Sequence, residues 1–232
     1  MNAAQALFKI RNTEKNAAFR VIRRQLRRMS ASPQRCGWCE DSEAGEIDHI
    51  RPKGLFPEHT FVWDNFLGAC GVCNNRKGSR FAILGPNGLV DITRQRDEPV
   101  IKPPSGPSAL IDPRVEDPLI LLELEARNTF HLQPRYGLSQ RGRDRATYTA
   151  GLLFLNREAL VLARRRVFAD NREVLSSYRD LRESGGDAAR LERLKDVLLQ
   201  RPHPTVWREM QRQHELSSLV GLFRDVPEAL SW

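Results

Sequence analysis

The sequence predicts an α+β chain, mostly α, with a small zinc-stapled core between a basic N-terminal helix and a helical C-terminal region. Three observations carry this prediction. Four cysteines fall in two identical C-x-x-C pairs, Cys36/Cys39 and Cys70/Cys73. Between the pairs stand short strand-like stretches, "GEIDHI" and the alternating "TFVWDNFLGAC". From about residue 142 onward, apolar residues recur every three or four positions, the period of a helix with one buried face.

Residues from about 13 to 29 form the first expected helix. Thr13 can cap it, Ala17/Ala18, Val21/Ile22 and Leu26 share a face, and "SASPQ" ends it. This region is strongly basic. Residues 1–40 carry nine Lys/Arg against two acids, in a chain of net charge +8 and pI near 9.8. Such an excess is expected of a polyanion-binding surface, and a solvated helix face is the plainer alternative. Of the 37 basic residues, 31 are Arg, a bias that genome composition also produces.

No apolar run approaches the roughly 18 residues that cross a bilayer, and no signal-peptide pattern opens the sequence. The expectation is a cytoplasmic protein with no membrane partner and with reduced thiols. Two C-x-x-C pairs without a spare cysteine then fit a tetrahedral four-thiolate Zn2+ site better than two disulfides. The 30 residues between the pairs exceed an ordinary zinc-ribbon spacing, so another element is folded into that loop.

After the second pair, "NNRKGSRF" can open a short helix. Residues 85–118 hold much of the proline and are expected as an irregular wrap or linker, and "LILLELE" with "TFHLQPRYGL" as a short hairpin. Helices are expected over 142–155 and 157–183, with Asn156 capping the second and Leu160, Val167, Val174, Tyr178 and Leu181 as its buried stripe. Leu191, Leu194 and Val197/Leu198 mark a third, and "TVWREMQRQH" follows the break at "RPHP". The expected division is 1–32 (basic helical segment), 33–84 (core), 85–118 (wrap) and 119–232 (helical region).

Within residues 35–80 the order C-x-x-C, D-H-I-x-P, W-D-N, C-x-x-C-N-x-x-K resembles the zinc-stapled HNH endonucleases, whose core is a ββα-metal fold. The resemblance implies phosphodiester hydrolysis. A neutral imidazole is available near physiological pH to take a proton from water, and a carboxylate is a hard ligand suited to Mg2+ or Mn2+. It assigns His49 as general base, Asp48 and Asn74 as ligands of the catalytic Mg2+ or Mn2+, Asn65 as brace of the loop, and the four cysteines to structural Zn2+. Many relatives carry His where Asn74 stands, which bears on metal preference. Lys77, Arg76, Arg51, Lys53 and His59 are the expected nucleic-acid contacts, His59 alternatively a plain loop residue.

The stretch from "EIDHIRPKG" to "LLFLNREALVLARRR" also looks like the HNH proteins of Septu-type and retron-associated anti-phage systems. That implies a nuclease effector acting on nucleic acid, DNA favoured, beside an SMC/ABC-like ATPase. Trp207 is then either an anchor for that partner or part of the tail's own core. Two alternatives stand beside this reading: an HNH nuclease acting on RNA such as tRNA, or in restriction or mobile-element biology, and a zinc-stapled nucleic-acid-binding module without catalysis.

Overall fold

The computed structural model describes residues 2–95, 98–99 and 101–232. Arg96, Asp97 and Val100 of the proline-rich segment lie outside the described residues. The chain divides into two compact units, residues 1–123 with 133–155, and residues 124–132 with 156–232. The first unit therefore takes in the helix near residue 145, and the boundary differs from a division at 118/119.

The N-terminal segment forms two helices where one was expected: α1 (Ala3–Arg11) and α2 (Ala17–Arg28). Asn2 closes a capping box with Gln5, and the α2 cap is Asn16 rather than Thr13. Phe19 and Leu26 of α2 pack with Phe8 of α1, while Arg20, Arg24 and Arg28 face solvent. Two four-residue strands, β1 (Glu46–His49) and β2 (Phe66–Ala69), pair antiparallel, and α3 (Gly71–Lys77) follows directly. β2 is shorter than the aromatic alternation implied, since Phe61, Val62 and Trp63 are exposed in and around a 3-10 turn over Trp63–Asn65.

The proline-rich stretch begins with a hairpin that the sequence reading missed, β3 (Ala82–Gly85) and β4 (Gly88–Asp91). Gly85 is required there, because a Cβ would stand 2.8 Å from Val90. Residues 107–109 run along β3, with Leu84 N–H donating to Pro107 O at 2.9 Å and Ala109 N–H to Ala82 O at 3.0 Å. Strands β5 (Leu122–Leu124) and β6 (Leu132–Pro134) form the expected small hairpin. Ser139 caps α4 (Gln140–Leu152), whose Tyr148 packs on Ala82, Leu84 and Ala109.

The second unit holds α5 (Glu158–Glu183), α6 (Ala188–Leu199), α7 (Pro204–Arg212) and α8 (Val220–Asp225). Asn156 does not cap α5. Its amide instead clamps the backbone of Leu132, accepting from N–H and donating to C=O at 2.8 Å each. The buried stripe of α5 runs through Leu160, Arg164, Phe168, Asn171 and Leu175, one position round from the expected face, with Val167, Val174 and Tyr178 at its margin. Trp207 is 5% exposed and stacks between Phe223 and Trp232 (centroids 5.8 and 6.2 Å), so it closes this unit's own core and offers no partner anchor. Among the described residues no helix is long and apolar enough to cross a membrane.

Candidate active site

The two cysteine knuckles meet at one point. In the first, Cys36 N–H donates to Ser42 O at 2.8 Å and Gly37 N–H to Gly68 O at 2.8 Å, which seats the turn on β2. A Cβ on Gly37 would stand 2.8 Å from Leu67, so this close approach needs glycine. In the second, Cys70 is the N-cap of α3 and Cys73 lies in its first turn. All four sulfurs are buried and within 4.8 Å of one another, Cys39 to Cys70 being 3.9 Å, and none forms a disulfide. Tetrahedral zinc with Zn–S of about 2.3 Å needs sulfurs about 3.8 Å apart, so this set fits a structural zinc ion. Hydrogen bonding among the four sulfurs splits their titration: contact with Cys36 lowers the Cys39 and Cys70 thiols, Cys70 to about 7, while contact with Cys39 and with Cys36 raises Cys36 and Cys73 respectively.

Alternation along β1 sends Asp48 and His49 to opposite faces. Asp48 faces α3 and is 3% exposed. Its Oδ2 accepts from Trp38 Nε1 at 2.8 Å, and its Oδ1 from Lys77 Nζ at 3.1 Å and from His49 N–H at 2.7 Å. Lys77 is wholly buried and also donates to the His49 carbonyl. The expectation that Lys77 meets a phosphate is thereby corrected: a buried carboxylate requires a buried counter-charge, and Lys77 supplies it. Asn74 lies one turn before Lys77 and donates from Nδ2 to Glu46 Oε2 at 2.6 Å. With Asp48 held by Trp38 and Lys77, and Asn74 by Glu46, this pair does not fit an open ligand set for a catalytic ion in the arrangement described.

His49 faces the other way, into rings. Phe8 stands edge-on at 4.5 Å between centroids and Phe66 at 5.2 Å. Nε2 lies 2.9 Å from Thr60 O. A carbonyl only accepts, so Nε2 carries the proton and Nδ1 keeps its lone pair. Nδ1 is buried and has no hydrogen-bond partner. Burial first, then the nearby Lys53 charge, lowers the pKa of His49 from 6.5 to about 4, so the ring is neutral at physiological pH.

That shift has a consequence for stability. Between about pH 6.5 and 4 the unfolded chain binds a proton at His49 that the folded chain refuses. Stability from this residue is therefore full above pH 6.5 and falls as the pH drops toward 4, by up to about 3 kcal/mol. Denaturant melts of wild type and His49→Gln across this range should converge in slope only above pH 7. Parallel profiles throughout would mean that the buried imidazole is not the source.

Asn65 ties the intervening loop together: Oδ1 accepts from Arg51 N–H at 2.7 Å, and Nδ2 donates to Arg51 O and His59 O at 3.0 Å each. Arg51 and Arg76 are exposed, their guanidinium groups resting over Phe56 and Phe154. Lys53 is half-buried over the Phe8 ring, 5.2 Å from its centroid, and burial lowers its pKa. The half-buried His59 has Glu58 at 4.0 Å and takes no part in the contacts around His49. Four residues with clear structural roles here escaped the sequence reading: Trp38, Glu46, Thr60 and Phe8. Trp38 lies inside a knuckle and Glu46 two positions before Asp48 on the same strand face, both recoverable signals. Thr60 acts through its backbone and Phe8 from a distant helix, and neither leaves a pattern.

Residues 34–80 match the family model of the HNH endonuclease. The chain is also 32% identical over 60 residues to "Septu protein PtuB" of Bacillus thuringiensis, a match covering 24% of this chain and 23% of the other. No solved structure matches. The likeness to the curated relative thus spans less than a quarter of its length and falls well short of the whole chain. A paired-knuckle sulfur cluster, a histidine ending β1 and a helix closing the second knuckle all lie inside the matched segment, so the likeness to the HNH endonucleases is one of residues 34–80 and of the geometry built from them.

Proposed function

We propose that this chain is a nuclease that hydrolyses phosphodiester bonds of nucleic acid, DNA in the first place, with His49 as general base. The observation that carries the reading is the state of the imidazole. It is neutral, its proton is fixed on Nε2 by the Thr60 carbonyl, and its Nδ1 lone pair is uncommitted. Such a nitrogen can take the proton of an attacking water. Asn65, by joining Arg51 to His59, is proposed to hold the loop that supplies the Thr60 carbonyl. Exposed Arg51 and Arg76, and the arginines of α2, are proposed to meet the phosphate backbone.

Dependence on Mg2+ or Mn2+, an ion that would stabilise developing negative charge, is proposed on the motif resemblance alone, since Asp48 and Asn74 as held here do not form its site. Asp48 and Asn74 are the side chains that the family motif nominates for it, and Lys77 and Glu46 are what now hold them. We further propose a place in anti-phage defence, in the cytoplasm, beside an SMC/ABC-like ATPase; the 32% identity to a Septu protein over 60 residues supports the defence part of that reading.

The test is cleavage of plasmid duplex, single-stranded DNA and tRNA, with chelator and then with added Mg2+ or Mn2+. His49→Ala is expected to lose about a hundred- to ten-thousand-fold in rate with its fold and zinc content intact. Undiminished cutting by the folded variant would remove His49 from the chemistry. Preference for tRNA would move the substrate to RNA.

A further inference from the structure

Catalysis by His49 requires a water molecule within hydrogen-bonding reach of Nδ1, about 2.6–3.2 Å. The structure closes that approach. His49 is 2% exposed, with Nε2 engaged by Thr60 and Nδ1 enclosed. The side chain that covers it from outside the 34–80 domain is Phe8, the one buried residue of α1. The rest of α1 is weakly held. Leu7 and Ile10 are 45% and 70% exposed. Its polar and ring attachments among the described residues include the Phe8 ring, the Asn2 Nδ2 bond to Lys53 O at 3.0 Å, Lys53 over Phe8, and the bond from Arg23 to Asn12 at 2.6 Å, with Ala4, Gln5 and Ala6 half-buried beside them. A helix of nine residues does not persist alone in water, so α1 is helical only while docked. It belongs to the low-stability end of the molecule, where elements open locally without global unfolding.

From the juxtaposition of Phe8 and His49 we infer that α1 is an autoinhibitory cover: docked, it seals the general base, and its release admits water and the scissile phosphate. The inference rests on the nuclease reading of His49. A purely structural α1 makes the opposite prediction, since loosening a helix that merely orients the imidazole lowers the rate of cleavage.

Asn2→Ala removes the cap of α1 and its tie to Lys53 without touching the core, and Phe8→Ala removes the cover itself. Each is tested as the zinc-loaded 232-residue chain, in two assays. The first is the rate at which diethyl pyrocarbonate modifies His49, read by mass spectrometry against the exposed His131. The second is the rate of plasmid cleavage with Mg2+ or Mn2+. Asn2→Ala is expected to raise both rates roughly fivefold, the effect of losing one N-cap, and Phe8→Ala to raise them further. If neither variant exposes His49, or if His49 becomes reactive while cleavage stays level or falls, α1 is not an inhibitor. Phe8→Ala/His49→Ala separates the two readings. Cleavage by that double variant as fast as by Phe8→Ala would retire His49 as the base, whereas loss of cleavage in it, with no gain in Phe8→Ala, would retire only the cover.

Discussion

Cys73→Ser is expected to release the zinc ion and unfold the first unit around it. Cys73 is fully buried and joins the ligand cluster to α3, so a weak hydroxyl ligand there leaves three thiolates crowded together without their cation. Binding of structural zinc is worth on the order of 10 kcal/mol, comparable to the whole stability of an ordinary domain of about 5–15 kcal/mol. The ladder of β1 and β2, four residues a side, cannot make up that loss. Metal analysis should fall from one zinc per chain to none, and the near-ultraviolet signal of Trp38 should collapse. Helical signal from the second unit, which has its own core around Leu175, Val206, Met210 and Leu219, should persist. Retention of zinc with an unchanged melt would overturn the four-sulfur site.

Lys77→Met is expected to destabilise the chain by about 3–5 kcal/mol, the cost of leaving a buried carboxylate without its counter-charge. Methionine keeps most of the aliphatic stem, so the loss measured is that of the ammonium group. Asp48 would retain Trp38 Nε1 and the His49 N–H, but its nearest cation would be gone. Adding Asp48→Asn should restore much of the loss, because a neutral amide needs no counter-ion. Denaturant melts of the single and double variants therefore form a cycle. If Lys77→Met costs less than about 1 kcal/mol, the pair is not the buried support that its geometry describes.

How much of this was legible in the sequence depended on the reach of each interaction. The sulfur cluster is written in local spacing, C-x-x-C twice, and the strand, the helix and the likeness to the HNH endonucleases follow from residues near it. The fate of Lys77 was not legible. Its position one turn after Asn74 is equally compatible with a phosphate contact and with a turn inward to Asp48, 29 residues away. The α5 stripe lies one position round because Arg164 and Asn171 are buried, so an apolar pattern alone pointed at the margin of the buried face. The β3–β4 hairpin hid behind a proline count, although "GPNG" between apolar runs is turn chemistry in its own right. And α1 was overlooked because its single buried side chain, Phe8, leaves no periodic trace.

The zinc cluster also bears on which way the strand residues face. A ladder as short as Glu46–His49 against Phe66–Ala69 specifies its own alignment weakly. A slip of one residue exchanges its two faces. Slipped, β1 would carry His49 toward α3 and press the Asp48 carboxylate into the rings of Phe8 and Phe66. Cys70 follows β2 immediately, and Cys39 precedes β1 by six residues tied back through the Arg35–Glu43 bridge, so a single ion bound to both would hold the strands in phase. An ion outside the proposed chemistry would thereby decide which side chain is offered as the proposed base.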